Sequence, residues 1–434
     1  MHLLGLDIGS SSVKAGIVRN GKILHGPARA DFVSRFEGVR AEVDPAAILK
    51  AIRQAINDLS SAAKKADVLG LTGMSPAWVA MDQRGKALTP IITHQDRRSV
   101  HVAEKLEKRV GKAKHLRIAG NRPFPGGISS TTAAWFVENH PEIIRRADLL
   151  GHLNTFLHRR LTGRRVIDPS NASFTGLYET VKQGGWSDEL IHAVGVKRNQ
   201  LPEILESNVI AGHASTAAAR ELGLPDGIPV LAGIIDTSSA MFEAGAAIGQ
   251  LLNVGGSTDV LGLCTSRPHP HEKLLTRALG VGRKWMTVGT LAASGSAIRW
   301  CWEQLFCDMP EEKFYRLVDH LAGKNADPAG VVFDPYLAGE RTSIEQKRAA
   351  FHGLTLGTTR LEMLAAVVDA LARASAVRVE LLKSLSAKID RNVMTSGGSA
   401  RRLNRILHRD WPGHWQFHFR DEATLRGLSR LTPH

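Results

Sequence analysis

Two stretches far apart in the chain are built on one plan. LLGLDIGSSSVKAGIV, from Leu3 to Val18, sets Leu4, Leu6 and Ile8 in alternation with Gly5 and Asp7; Val13, Ala15 and Ile17 then alternate with Lys14 and Gly16. Period two is the mark of a strand with one buried face. Only Gly9, Ser10, Ser11 and Ser12 separate the two strands, which is hairpin length. GQLLNVGGSTDVLGLCTS, in the second half, repeats the plan as strand, Gly-Gly-Ser-Thr turn, strand. Such a turn is either a solvated hairpin tip or a concave nest of backbone amides for an anion. In the second case Asp7, at the strand end, holds a cation against that anion. Two copies of the plan, with helices and further strands after them, predict a mixed α/β chain of two similar domains. They also predict two phosphate-cradling turns across one cleft.

The totals agree with this. A length of 434 residues exceeds what one hydrophobic core usually spans, and 43% hydrophobic with 23% charged residues is an ordinary globular balance. The net charge of +14 is spread along the chain, and no RRM, zinc-finger or basic-zipper pattern accompanies it. With aromatics at only 6%, nucleic acid is not the expected partner. Three cysteines, Cys264, Cys301 and Cys307, make no disulfide framework, and Cys301 and Cys307 read as core residues around Trp300 and Trp302. With no signal peptide evident and no apolar run of membrane length, a cytoplasmic protein away from membranes is expected.

Further elements follow from spacing. DPAAILKAIRQAINDLSSAAKKA reads as a helix with Asp44 as N-cap, Pro45 in the first position and Ile48, Ile52 and Ile56 on one face. Ile228 to Ile235 reads as one buried strand running into Asp236, a second carboxylate at a strand end. TTRLEMLAAVVDALARASAVRVELLKSL reads as a long helix capped by Thr358 or Thr359, with Leu361, Leu364, Val368 and Leu371 on one face. NVMTSGGSARRLNRIL is then a strand, a Gly-Gly loop and a helix start, a natural seat for a nucleotide. No Walker sequence is present, so a P-loop enzyme is excluded. His414 and His418 have no acidic or cysteine partner at ligand spacing and read as surface residues. Glu340 and Arg341 read as a structural ion pair.

Taken in order, GLDIGSSSVKAGI, GLTGMSPAWVAMDQRGKALTPIITHQDRRS, RLTGRRVIDPSNAS, PVLAGIIDTSSAMFEAGA, LLNVGGSTDVLGLC, FDPYLAGERTS and TSGGSARRLNRIL resemble the FGGY family of carbohydrate kinases, most closely its xylulose kinases. The resemblance runs over almost the whole chain. It implies two ribonuclease-H-like domains of the actin-like ATPase plan, with ATP and sugar in the cleft between them. Residues 1–245 would form the sugar-binding side and 246–434 the nucleotide-binding side. It implies ATP-dependent phosphorylation of a small ketose or polyol, with magnesium, and a homodimer as a common state. Asp236 matches the general base, and Asp7, with Asp236, the magnesium corner. Gly9, Ser10, Ser11, Ser12 and Lys14, and Gly256, Ser257 and Thr258, match the two phosphate loops. Gly397, Gly398 and Asn404 fall where adenosine is held, while Met74, Ser75 and Asp96 fall on the sugar side.

The chain also departs from the family. Ser75, Pro76 and Ala77 stand where xylulose kinases have a His-Gly segment whose histidine approaches the sugar. His94-Gln95-Asp96 replaces Trp-Asn-Asp, Thr237 and Ser238 follow the base in place of Asn and Ala, and the C-terminal region is short. Two further functions remain open at this point. One is a sugar- and nucleotide-binding protein that has lost turnover, the other a different ATPase of the same plan.

Overall fold

The computed structural model describes residues 1–323, 327–386, 388–398 and 400–432. It is mixed α/β and divides into two compact units. The first comprises residues 1–247, 264–287 and 423–434; the second comprises 248–263 and 288–422. The first crossing falls beside the expected division at 245/246, but two later segments return to the first unit. Among the described residues no helix is long and apolar enough to cross a membrane.

In the first unit, β1 (Leu3–Ile8), β2 (Ser12–Arg19) and β3 (Lys22–Asp31) form an antiparallel meander. A second, five-stranded sheet holds β4 (Ser34–Glu37), β5 (Arg40–Val43), β7 (Ala77–Met81), β8 (Ile91–Thr93) and β9 (Leu149–His152) in the order β4-β5-β8-β7-β9. Between them in sequence come helix α1 (Pro45–Asp58) and β6 (Val68–Gly73), which lies parallel to β1. Asp44 caps α1 as expected, accepting the Ala46 N–H at 2.9 Å. The helix stops at Asp58, and Ser60–Lys65 continue as a 3-10 turn. Then follow α2 (Pro169–Thr175), β10 (Ile210–His213), β11 (Pro229–Leu231), β12 (Ile234–Ile235) and α3 (Asp236–Glu243). The expected single strand over 228–235 is thus two short ones. Gly233, at φ +83°, breaks it, and a Cβ there would sit 2.8 Å from the Leu71 carbonyl. The main sheet runs β10-β11-β6-β1-β2-β3, with β12 also pairing β6.

Strand β1 is central and buried on both faces. Leu4, Leu6 and Ile8 share a core with Ile48, Ile52 and Ile56 of α1. Fully burying each such side chain stabilises by about 1.5–3 kcal/mol. The other face carries Leu3, Gly5 and Asp7. It is covered by α7 (Ala423–Leu428), whose Leu425 and Leu428 would be 3.2 and 3.3 Å from a Cβ at Gly5. Glycine leaves the room that α7 fills.

The second unit repeats the arrangement. Strands β13 (Leu251–Gly255) and β14 (Asp259–Thr265) make the hairpin, and β17 (Asn392–Ser396) lies parallel to β13 as β6 does to β1. Strand β18 (Gln416–Phe419) extends the sheet in parallel. Strands β15 (Leu275–Ala278) and β16 (Trp285–Leu291) lie between β14 and helix α4 (Gly295–Leu305) in sequence. Helices α4, α5 (Arg360–Leu385) and α6 (Ala400–Leu407) supply Ile298, Cys301, Leu364, Val368, Leu371 and Ile406 to one core. Two expectations are corrected here. Leu361 sits in the first turn of α5 and is 44% exposed, and Cys307 lies past the end of α4 and is exposed, while Cys301 is buried. Thr359 caps α5, in a reciprocal box with Glu362.

Candidate functional site

The strand register of the first unit builds one edge from three segments distant in sequence. Ile8 lies opposite Gly73, and Gly73 opposite Ile235. One residue beyond that row stand Gly9, Met74 and Asp236. One residue before it stands Asp7, opposite Thr72. Ligands of α/β sheets bind outside the carboxyl ends of parallel strands, where chain turns leave amides and side chains unspent. Asp7 and Asp236, singled out in the sequence as strand-end carboxylates, therefore share this edge with Met74.

Asp7 is half-buried, and its Oδ2 accepts a hydrogen bond from Thr424 Oγ1 at 2.7 Å. Lys14 faces it across the β1–β2 ladder. Asp236 is the first residue of α3 and also half-buried, and its Oδ1 accepts the N–H of Thr237. A plain helix cap would precede the helix and accept from a residue two or three on. Here Ile235 occupies the cap position and carries no capping bond. The carboxylate instead sits in the first helical turn.

Three carbonyls of the Gly9–Ser12 turn are tied back into the protein. Ser12 O accepts from Gly9 N, Ser11 O from Phe32 N and Ser10 O from Ser34 Oγ, at 2.7–2.9 Å. Ser10 and Ser11 are exposed. The Gly256–Thr258 turn of the second unit is treated alike. Thr258 O accepts from Gly256 N, Gly256 O from Gly295 N, and Ser257 O from Ser294 N, Ser296 N and Ser296 Oγ. With carbonyls spent, each turn has mainly N–H and hydroxyl donors left to offer, which suits an anion.

Gly397 and Gly398 follow β17 as Met74 follows β6. Gly397 has φ +108°, and a Cβ there would lie 2.1 Å from the Gly255 carbonyl, so only glycine lets this loop close against the phosphate-type turn. Beside Gly398 the space is open. Asn404, on α6, carries a buried Oδ1 with no hydrogen-bond partner among the described residues. Behind the turn, Asp259 is fully buried; it accepts from Arg378 Nη2 at 2.5 Å and from Asn253 Nδ2 at 2.7 Å. His408 completes this row against Asn253 Oδ1 at 2.7 Å, and burial pushes the imidazole down to about 3, so it is neutral.

Ser75 is 7% exposed, and its Oγ lies 3.5 Å from Nδ1 of His152. His152 also meets Ser129 Oγ at 2.8 Å, and burial pushes it down to about 4. Asp96 stands apart. It is 1% exposed, and its two oxygens accept from Ala41 N, Arg98 N, Arg98 Nε and Arg98 Nη2 at 2.8–3.0 Å. A ligand contact through this carboxylate would displace one of those bonds. Glu340 forms an ion pair with Lys347 at 2.8 Å.

Four residues around the edge escaped the sequence analysis. Thr424 is one; the others are Asp168, Ser170 and Arg277. Asp168 is fully buried and accepts from Ser170 N, Asn171 N, Asn171 Nδ2, Asn154 Nδ2 and Ser170 Oγ. Burial still pushes its carboxyl up to about 6. Ser170 Oγ in turn accepts the Ile235 N–H at 3.1 Å. Arg277 donates from Nη2 to Thr237 Oγ1 at 2.6 Å. The only trace of these partners in the sequence is a buried-type segment that carries polar residues.

Among the described residues no group of three or more His, Cys, Asp or Glu could hold a metal alone. Magnesium needs no such cage, since it keeps waters and shares phosphate oxygens, and Asp7 or Asp236 would supply the protein's oxygen. The donor-rich turns fit phosphates.

Comparison with known proteins agrees with the architecture. The N-terminal domain of the FGGY family of carbohydrate kinases matches residues 2–243, and its C-terminal domain matches residues 251–408. The chain belongs to the FGGY family: it is a carbohydrate kinase with the two-domain actin-like ATPase fold, of a family that uses ATP. It is 27% identical over 420 residues to the L-fuculokinase of Salmonella typhi, covering 92% of this chain and 84% of that protein. It is also 27% identical over 441 residues to the xylulose kinase of Escherichia coli, covering 99% and 89%. The xylulose kinase of Rhodospirillum rubrum superposes with TM-score 0.84 at 24% identity, over 99% of this chain and 88% of that one. The gluconate kinase of Lactobacillus acidophilus gives TM-score 0.85 at 20% identity over the same shares.

Proposed function

We propose that this chain transfers the γ-phosphoryl group of ATP to a hydroxyl of a small ketose or polyol, xylulose-like in size, with Asp236 as general base. The observation that carries the reading is the shared edge, which sets Asp7, Met74 and Asp236 within one residue of the same register row. Asp236 takes the proton of the acceptor hydroxyl. The hydroxyl oxygen then bonds to the γ-phosphorus as the bond to the β-phosphate oxygen breaks, and ADP leaves. Magnesium, when bound, neutralises charge on the phosphates. Asp7, with Asp236, is the assigned protein ligand on its side. The Gly9–Ser12 turn with Lys14, and Gly256, Ser257 and Thr258, hold phosphate oxygens, which is most of what this reaction asks of a protein. Gly397, Gly398 and Asn404 hold the adenosine. Met74 and Ser75 shape the acceptor pocket, and Asp96 keeps its loop in place through Arg98.

The test combines a panel of ketoses, aldonates and polyols in an ADP-release assay with Asp236→Asn. Asn preserves size and helix position, so folding and ATP binding should survive. Loss of a general base lowers kcat by about 10²–10⁴-fold, and the acceptor KM should change much less. A variant that phosphorylates its sugar near the wild-type rate would remove Asp236 as base. Binding of sugar and nucleotide with no ADP from any acceptor would favour a binding protein without turnover.

A further inference from the structure

Arg277 is an unusual residue to find where it lies. It is 2% exposed and among the largest fully buried side chains of the protein. Its Nη2 donates to Thr237 Oγ1 at 2.6 Å and lies 3.2 Å from the sulfur of Met286. Its guanidinium is centred 5.3 Å over the Phe174 ring, and its Nε has no hydrogen-bond partner among the described residues. Burial pushes the group down to about 10, opposed by the charges of Asp236 and Asp168. Taking a guanidinium out of water costs several kcal/mol, and an apolar residue of similar volume would often serve packing better. The cost falls one residue from Asp236.

The other flank of Asp236 is fixed in a parallel way. The Ile235 N–H donates to Ser170 Oγ, whose own proton goes to the buried Asp168. A third bond, from Ala278 N to Ser173 Oγ at 3.0 Å, ties the strand of Arg277 to the helix of Ser170. Ile235 and Thr237 are thus each anchored to a buried charge, and these charges belong to one block. Asp236 itself is left half-buried between two fixed neighbours.

We propose that Thr237 and Arg277 are positioning residues for phosphoryl transfer, bracing the backbone on one side of Asp236 as Ser170 braces it on the other. The proposal rests on Asp236 being the base. A base must meet its proton within hydrogen-bond reach, and a displacement of about 1 Å can cost 10²-fold in rate. Thr237→Val keeps the shape and removes the acceptor for Arg277, whereas Thr237→Ser keeps it.

The experiment measures kcat, both KM values and the thermal midpoint for Thr237→Val, Thr237→Ser, Asp236→Asn and the Thr237→Val/Asp236→Asn double variant. Arg277→Lys adds a variant that keeps the charge but loses the planar fork. The expected result for Thr237→Val is a kcat lower by about 10- to 100-fold, consistent with a misplaced base, with both KM values within about threefold. Thr237→Ser should recover kcat to within about threefold of wild type. The double variant should be no slower than Asp236→Asn alone, because residues acting as a unit are non-additive. Wild-type kcat in folded Thr237→Val would overturn the proposal. So would a loss that Ser does not rescue, or one that adds in full to that of Asp236→Asn. Full activity of Asp236→Asn would instead overturn the assignment of the base, which separates the two failures.

Discussion

Asp96 and Asp236 are both carboxylates near strand ends, yet their surroundings give them opposite work. The oxygens of Asp96 are saturated by the backbone amides of Ala41 and Arg98 and by the Arg98 side chain, which is 5% exposed and also reaches Glu42. Arg98 further lies 5.2 Å over the ring of Trp135. Removing one partner of a buried pair costs about 3–5 kcal/mol because the other charge stays buried. Asp96→Ala should therefore fall near the lower end of that range, Glu42 remaining, as read from urea unfolding. A loss below about 1 kcal/mol, as for an exposed pair, would mean that the pair does not hold the loop. Asp236→Asn should cost less than Asp96→Ala in the same measurement, because Asp168 still faces the buried Arg277 when the Asp236 charge is gone.

The element on which most depends is α7. It fills the space above Gly5, and its Gly427 approaches α3 so closely that a Cβ would lie 1.8 Å from the Ser239 carbonyl. Ser239 Oγ donates to Thr424 O at 2.7 Å. Leu428 is fully buried, and Leu428→Ala should destabilise by about 2–5 kcal/mol. Thr424→Val asks a different question. It keeps the packing but removes the donor on Asp7, so stability should hold while the magnesium concentration for half-maximal rate rises several-fold. An unchanged magnesium dependence would show that Asp7 is oriented without Thr424. The hairpins, their turns and the two strand-end carboxylates were legible in the sequence, because periodicity and Gly-Ser composition are local signals. The braces were not. Ser170 lies 65 residues from Ile235, Arg277 40 from Thr237 and Thr424 417 from Asp7, so only tertiary folding brings each pair together. Gly233 was missed for a related reason: the apolar run is continuous, and the break comes from close approach to Leu71.

Over the whole molecule, buried ionisable groups set the acid limit. Burial holds His152 and His158 down to about 4 and His408 to about 3. A histidine whose folded value lies below its unfolded value of about 6.5 contributes stability above that pH and loses it as the pH falls. Asp168 has the opposite sign: it is raised to about 6, so acidification relieves the cost of its buried charge. At pH 5 the three histidines take up nearly three protons on unfolding and Asp168 releases nearly one. The four groups together should therefore give a net uptake of about two protons, or about 2.7 kcal/mol lost per pH unit. Urea midpoints between pH 5 and 6 measure it; a flat profile would mean that these imidazoles are not buried as neutral rings. The bond from Thr424 to Asp7 also has a meaning in time. A ribosome delivers Asp7 417 residues before Thr424, and the first unit holds segments from both sides of the second. Strand β1 must therefore wait, with Gly5 uncovered and Asp7 without its bond from Thr424, while the second unit is translated. A nascent chain halted short of residue 423 still lacks both the helix that covers Gly5 and the hydroxyl that donates to Asp7.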